Sequence, residues 1–370
     1  MNKVEKRILF IVKLPPPITG ATLMNKIIYE GIVQNSQYKT GIISANYAKN
    51  IADLGNYSFN KCVIFLKVIS DLIINLVRDR PDLVYFQISP VGLPFLRDSI
   101  LSLIVRLFNI KVVYHLHGLG IQDSMSKHRI IHGYYKLIFR GSDVICLSDT
   151  LTYDVAKLNI KKTYIVNNGI PTTKYKKSSR KKGAPINIMF LSNLFISKGL
   201  LLYIEAIKML QEKQKYEFIS YIVGEEGDIS GKTLSKIIED ENLQERMIYL
   251  GSKYAEEKKE IFGEADIFIY PSLKDAFPCT VLEALQAGTA CITSSVGALP
   301  DIIDNGKTGI VIDNISPKTI LEKIEILINR NEMRNSMAIK GKKKYEEQYT
   351  SSRLVANIQY VFNEILRNNI

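Results

Sequence analysis

Runs of β-branched and aromatic residues alternate with helical stretches along this 370-residue chain, and the series begins twice. The first set is RILFIV (7–12), LVYFQI (83–88), KVVYHL (111–116), DVICLS (143–148) and TYIVN (163–167). The second is INIMFLS (186–192), EFISYIVG (217–224), MIYLG (247–251), DIFIY (266–270), ACITS (290–294) and GIVI (309–312). Strands apolar at successive positions are buried on both faces, which calls for a parallel sheet covered by helices. The expectation is an α/β protein of two Rossmann-like, doubly wound domains. Boundaries fall at 1–168 and 186–350, with a basic linker over 169–185. A last helical stretch over 351–370 could cap either domain and is assigned to packing back on the first. Ligands of such folds bind beyond the carboxyl ends of the strands, so two of them are expected to share an inter-domain cleft.

The formal charge is +12, and residues Lys161 to Lys182 hold eight Lys or Arg and no acid. Such a field favours phosphates. A solvated linker and a contact with an anionic membrane surface both account for it. Nucleic acid is not expected as a partner, because basic and aromatic residues are not interleaved on a strand and no DNA-binding motif is present. Cys62, Cys146, Cys279 and Cys291 lack paired spacing, which argues against a disulfide framework or a zinc site and fits a reducing cytosol. The apolar run at the N-terminus stops at Pro15 and suits a first strand better than a signal peptide. Charges at Lys67, Asp71, Arg97, Asp98 and Arg106 interrupt the two longest apolar regions, so neither sustains the roughly 20 residues of a bilayer crossing. A cytoplasmic protein, peripheral at the inner face of the membrane, is the expected setting.

Candidate site residues lie just after strands. KLPPPITGAT leads through Gly20 into a helix whose N-terminus can attract an anion; a plain structural turn explains it equally well. YHLHGLG places His115 and His117 on one side, and His117, next to a glycine, is taken as the histidine facing substrate. HGLGIQD (117–123) begins like a dinucleotide fingerprint but lacks the third glycine, which disfavours a nicotinamide dehydrogenase. SNLFISKG puts Lys198 and Gly199 at a helix start, where a cation opposes the helix dipole unless an anionic ligand is present. In DAFPCTVLEALQAG, Asp275 falls in a loop, Pro278 in the first helical turn and Glu283 in the second. Between the acids lie Phe277 and the N–H groups of Thr280 and Val281, where a phosphate could rest. Carboxylates beside a phosphate are repelled unless they accept hydrogen bonds from neutral hydroxyls, which ribose and a hexose supply. Asp275 as a helix cap and Glu283 in a surface ion pair would explain the acids without a ligand.

The ordered set PPPITGAT, HLHG, NNGIP, SNLFISKG, DAFPCTVLEALQAG and SSVGALPDII resembles the family 4 retaining glycosyltransferases, of GT-B fold, found in bacterial surface-polysaccharide assembly. The resemblance implies that Glu283 binds ribose, Lys198 the diphosphate and Asp275 the donor hexose, with His117 approaching it from the N-terminal domain. Gly20 would face the phosphates or the acceptor, and the amides of Thr280 and Val281 would complete the diphosphate cradle. Two positions depart from the family: Asp275 stands where Glu is usual, and Asn193 where Arg is usual; loss of activity, a shifted sugar preference and compensation by another basic residue are the open consequences, and compensation is expected because the chain is rich in Lys. The implied reaction is hexose transfer, with retention, from a nucleotide diphosphate sugar (UDP- or GDP-linked) to a hydroxyl of a glycan or polyprenyl-diphosphate-linked acceptor. No cofactor or metal is expected, since no Asp-x-Asp pair follows a strand. A nucleotide-sugar epimerase and a noncatalytic sugar-nucleotide-binding scaffold are the competing readings.

Overall fold

The computed structural model describes residues 6–34, 37–47, 59–176 and 183–367. Part of the predicted basic linker, 177–182, and the last three residues of the predicted terminal helix lie outside the described residues. The chain divides into two compact units, one running to Gly169 and resuming at Ser351, the other spanning Ile170–Thr350.

In the first unit the order is β1 (Lys6–Val12), α1 (Gly20–Gln34), β2 (Tyr38–Ser44), α2 (Phe59–Arg78), β3 (Leu83–Phe86), α3 (Gly92–Leu107), β4 (Lys111–His115), α4 (Ile121–Lys127), α5 (Arg129–Phe139), β5 (Asp143–Cys146) and β6 (Lys162–Ile165). All six strands are parallel, in the order β2-β1-β3-β4-β5-β6. β2 is absent from the sequence expectation. It is an edge strand in which only Tyr38 and Ile43 are buried, and Lys39, Thr40 and Gly41 break its apolar pattern, so the unbroken burial of β3 and β5 is missing.

The second unit contains β7 (Ile186–Leu191), α6 (Leu200–Glu212), β8 (Phe218–Val223), α7 (Gly231–Asp240), β9 (Met247–Tyr249), α8 (Ala255–Glu264), β10 (Ile267–Tyr270), α9 (Cys279–Gln286), β11 (Ala290–Ser294), α10 (Leu299–Ile302), β12 (Gly309–Ile312), α11 (Pro317–Asn329) and α12 (Asn331–Gln348). Its parallel sheet has the order β12-β11-β10-β7-β8-β9. β7 and β10 are neighbours, yet the chain leaves them toward opposite edges. Their carboxyl ends therefore form the switch point at which a doubly wound sheet opens to a ligand.

The chain then returns to the first unit as α13 (Ser351–Arg367). Phe362 of α13 packs edge-on against Phe10, Tyr38 and Tyr85, while Asn363 Oδ1 accepts a 2.8 Å hydrogen bond from the Tyr38 hydroxyl. Lys111 Nζ donates to the Ile365 carbonyl at 2.8 Å. No helix among the described residues is long and apolar enough to cross a membrane.

Candidate functional site

The chain after β7 makes a short 3-10 turn, Ile196–Lys198, before Gly199 (φ +77°) starts α6. Gly199 is required there, because a Cβ would strike the Pro271 carbonyl beyond β10. Leu273 N–H donates to the Ser197 carbonyl at 2.8 Å, tying the two post-strand loops together at the switch point. The tie brings Lys198 and Asp275, 77 positions apart, into a 2.5 Å ion pair through Asp275 Oδ2.

Asp275 is held from three directions. The Tyr270 hydroxyl donates to the same Oδ2 at 2.6 Å, and Oδ1 accepts the Ala276 N–H at 2.8 Å. Burial, and then the Asp275 carboxylate, push the Tyr270 phenol well above its ordinary pKa, so it stays a neutral donor. Asp275 does not cap α9, and Pro278 occupies the N-cap position with extended backbone rather than the first helical turn. Lys198 also lies 3.3 Å from the Lys274 carbonyl.

The α9 N-terminus is partly used. Val281 N–H donates to the Pro278 carbonyl at 3.2 Å, because the first turn closes with i to i−3 bonding; of the two expected amides, only that of Thr280 is open. The Phe277 side chain is 6% exposed and packs edge-on against Tyr349.

Glu283 lies in the second turn of α9, where its Oε1 accepts a 2.8 Å hydrogen bond from Lys258 Nζ of α8. The same ammonium is 2.6 Å from Oε2, outside hydrogen-bonding angles. Both side chains keep about a quarter of their surface, 24% for Lys258 and 22% for Glu283, while Glu283 Oε2 itself is buried. Tyr175 borders it: burial, and then the Glu283 charge, raise the Tyr175 phenol. Lys258 and Tyr270 were missed in the sequence, since a lysine inside the run AEEKKE and a strand-end tyrosine carry no local sign of a partner. Asn193 is half-buried on the β7 loop.

In the first unit, β4 ends at His115, and the rings of His115 and His117 lie 4.2 Å apart on one side. His115 Nδ1 is 2.5 Å from the Tyr85 hydroxyl, and the Nε2 atoms of both histidines are buried without a partner. Burial, aided by the Lys13 ammonium, brings His117 down to about 3, and burial with His117 lowers His115. Both imidazoles are neutral at neutral pH. Lys13 Nζ, beyond β1, donates to Ser89 Oγ at 2.7 Å and lies 3.7 Å from Asp98. Gly20 opens α1 with free space where a Cβ would stand, while Thr19 and Thr22 cap the turn reciprocally. The Gly-rich start of α4 is closed to phosphate: the buried Asp154 carboxylate accepts the Gly120, Ile121 and Gln122 N–H groups at 3.0, 3.1 and 2.8 Å.

The second unit thus carries a paired lysine and acid at its switch point, followed by a helix start and a lysine-paired glutamate. Residues 171–344 match the family described as "Glycosyl transferases group 1". Over 277 residues the chain is 23% identical to the capsular polysaccharide biosynthesis glycosyltransferase CapM of Staphylococcus aureus, covering 70% of this chain and 71% of that one. A glycosyltransferase from Rickettsia africae ESF-5 matches 99% of this chain and 100% of its own at TM-score 0.77 and 17% identity. Anabaena HepE, solved in complex with UDP-glucose, matches 97% of this chain and 99% of its own at TM-score 0.71 and 14% identity. The fold is GT-B, with two parallel six-stranded sheets each interleaved with helices.

Proposed function

We propose that this chain is a retaining glycosyltransferase that moves a hexose from a nucleotide diphosphate sugar to a hydroxyl of a glycan or lipid-linked acceptor. The observation that carries the reading is the Lys198–Asp275 pair at the β7/β10 switch point, within the residues that match the group 1 family. HepE, of the same fold, is solved with UDP-glucose, which supports a nucleotide-sugar donor here. Glu283 accepts hydrogen bonds from the ribose, held in orientation by Lys258. Lys198 and the Thr280 N–H meet the diphosphate, and Asp275 accepts from a hexose hydroxyl. His117 offers a neutral imidazole to a substrate hydroxyl.

In the transfer step the acceptor oxygen forms a bond to the anomeric carbon as the bond from that carbon to the diphosphate oxygen breaks. The electron pair leaves with the diphosphate, whose oxygen takes the acceptor proton. Lys198 and the helix start stabilise that growing negative charge, an electrostatic role comparable to an oxyanion hole. The positive charge in this scheme comes from the protein, so it assigns no step to a metal.

A donor screen that follows UDP and GDP release with and without a lipid-linked acceptor tests the reading. Acceptor-dependent release supports it. Nucleotide-sugar interconversion without acceptor would identify an epimerase, and binding without turnover of any donor would identify a scaffold.

A further inference from the structure

The outer side of one helical layer in the first unit is apolar where a water-facing layer would be polar. α2, α3 and α5 lie side by side: α2 packs against α3, and α3 against α5. Their inward residues, among them Leu72, Leu101 and Ile138, join one hydrophobic core with the sheet. A helix with one buried face ordinarily turns charged and polar residues to water on the other.

These helices do not. On α2, Val63, Leu66, Ile73 and Val77 follow a three-and-four spacing along the outer face, with Leu66 66% and Val77 64% exposed. On α3, Leu93, Leu96, Ile100 and Leu107 form a second stripe, and Leu107 is 84% exposed. Ile130 (87%) and Leu137 (50%) continue it on α5. Exposed apolar residues scattered singly need no explanation, but parallel stripes on three adjoining helices form a surface.

The exposed charges within the three helices have one sign. α5 has no acid, and the only carboxylates on α2 and α3, Asp71 and Asp98, are half-buried and buried. Lys67, Arg78 and Arg129 are exposed, Arg140 follows α5 at the surface, and Asp79, which follows α2, is paired with Arg7. A second copy docking through this face about a two-fold axis would set these cations against their own equivalents. An anionic lipid surface meets both features, receiving the apolar stripes at its acyl boundary and the cations at its headgroups.

We propose that the outer face of α2, α3 and α5 is a membrane-docking surface that binds anionic bilayers. The surface belongs wholly to the first unit and does not rest on the transfer reading, so it is tested without donor or acceptor. Full-length protein is sedimented with vesicles of phosphatidylcholine alone or containing about 30 mol% phosphatidylglycerol, at low and high salt. Binding to the anionic vesicles is expected, weakened by salt and by omission of phosphatidylglycerol. Two surface variants, L66Q/L96Q and K67E/R129E, should each lower the bound fraction about tenfold while keeping the wild-type melting temperature. Protein that stays in the supernatant with anionic vesicles at low salt would overturn the proposal. So would binding indifferent to both variants, or a dimer in gel filtration that L66Q/L96Q dissociates, which would give the face to a second copy.

Discussion

Lys198 and Tyr270 donate to the same carboxylate oxygen, Asp275 Oδ2, at 2.5 and 2.6 Å. The lysine is thus aimed in advance by an acid on the neighbouring post-strand loop, so that on the proposed reading a diphosphate would meet a cation that needs little reorganisation. Lys198→Met should lower turnover by about 100-fold to 1000-fold, the scale of losing one preorganised charge at a leaving group. It should also cost about 1–3 kcal/mol of stability, because Asp275 keeps only Tyr270 and the Ala276 N–H. Initial rates of nucleotide release and urea unfolding measure the two effects; undiminished turnover would remove Lys198 from the site.

Glu283 and Lys258 form a second pair, and its role is separable from the first. If Lys258 acts by orienting Glu283 toward ribose, Glu283→Gln should weaken nucleotide affinity about 10-fold to 100-fold, as for a lost charged hydrogen bond. Lys258→Met should weaken it less, and the double variant should be no worse than Glu283→Gln. Titration calorimetry with UDP and GDP closes the cycle. Strictly additive losses would show that Lys258 contacts the ligand itself or has no part in binding.

The strands buried on both faces, and with them the doubly wound fold, could be read from apolar runs because that burial leaves an unbroken signature. β2 could not, since an edge strand with Gly41 at its centre satisfies neither alternation nor continuity. Lys198, Asp275 and Glu283 stood out by their position after strands, whereas Tyr270 and Lys258 acquire meaning only from partners 5 and 25 residues away. The burial of Phe277 was hidden for the same reason: its partner is Tyr349, from the distant end of the unit. The closed first turn at Val281 depends on backbone angles at Pro278 that residue type alone does not determine.

His117 supplies a pH prediction for stability. Its folded pKa is lowered from the ordinary 6.5 to about 3, so between these values the unfolded chain binds a proton that the folded chain does not. Stability is therefore unaffected by this group above about pH 6.5 and falls as pH drops below it, by up to about 1.4 kcal/mol per unit. His115 adds in the same direction. Denaturant unfolding from pH 7.5 to 4.5 should show a shallower acid loss in His117→Gln than in wild type. Parallel curves would mean that the imidazole is protonated in the folded protein.

Gly297 tests the loop that carries Asp275. It has φ +61°, and a Cβ there would collide with the Asp275 and Ala276 carbonyls, the latter already accepting the Ala298 N–H at 2.8 Å. Neither the backbone angle nor the space admits a side chain, so Gly297→Ala must move the 275–276 segment or α10 behind it. The expected cost is about 1–3 kcal/mol in stability. If the Asp275 segment yields, the Lys198 ion pair loosens and turnover drops well beyond what the unfolded fraction explains. If α10 yields, stability falls while the turnover of folded protein holds. Thermal unfolding and initial rates on one preparation separate the outcomes. Loss of both is expected, because the Asp275 segment is half-exposed whereas Leu299 and Ile302 of α10 are fully buried.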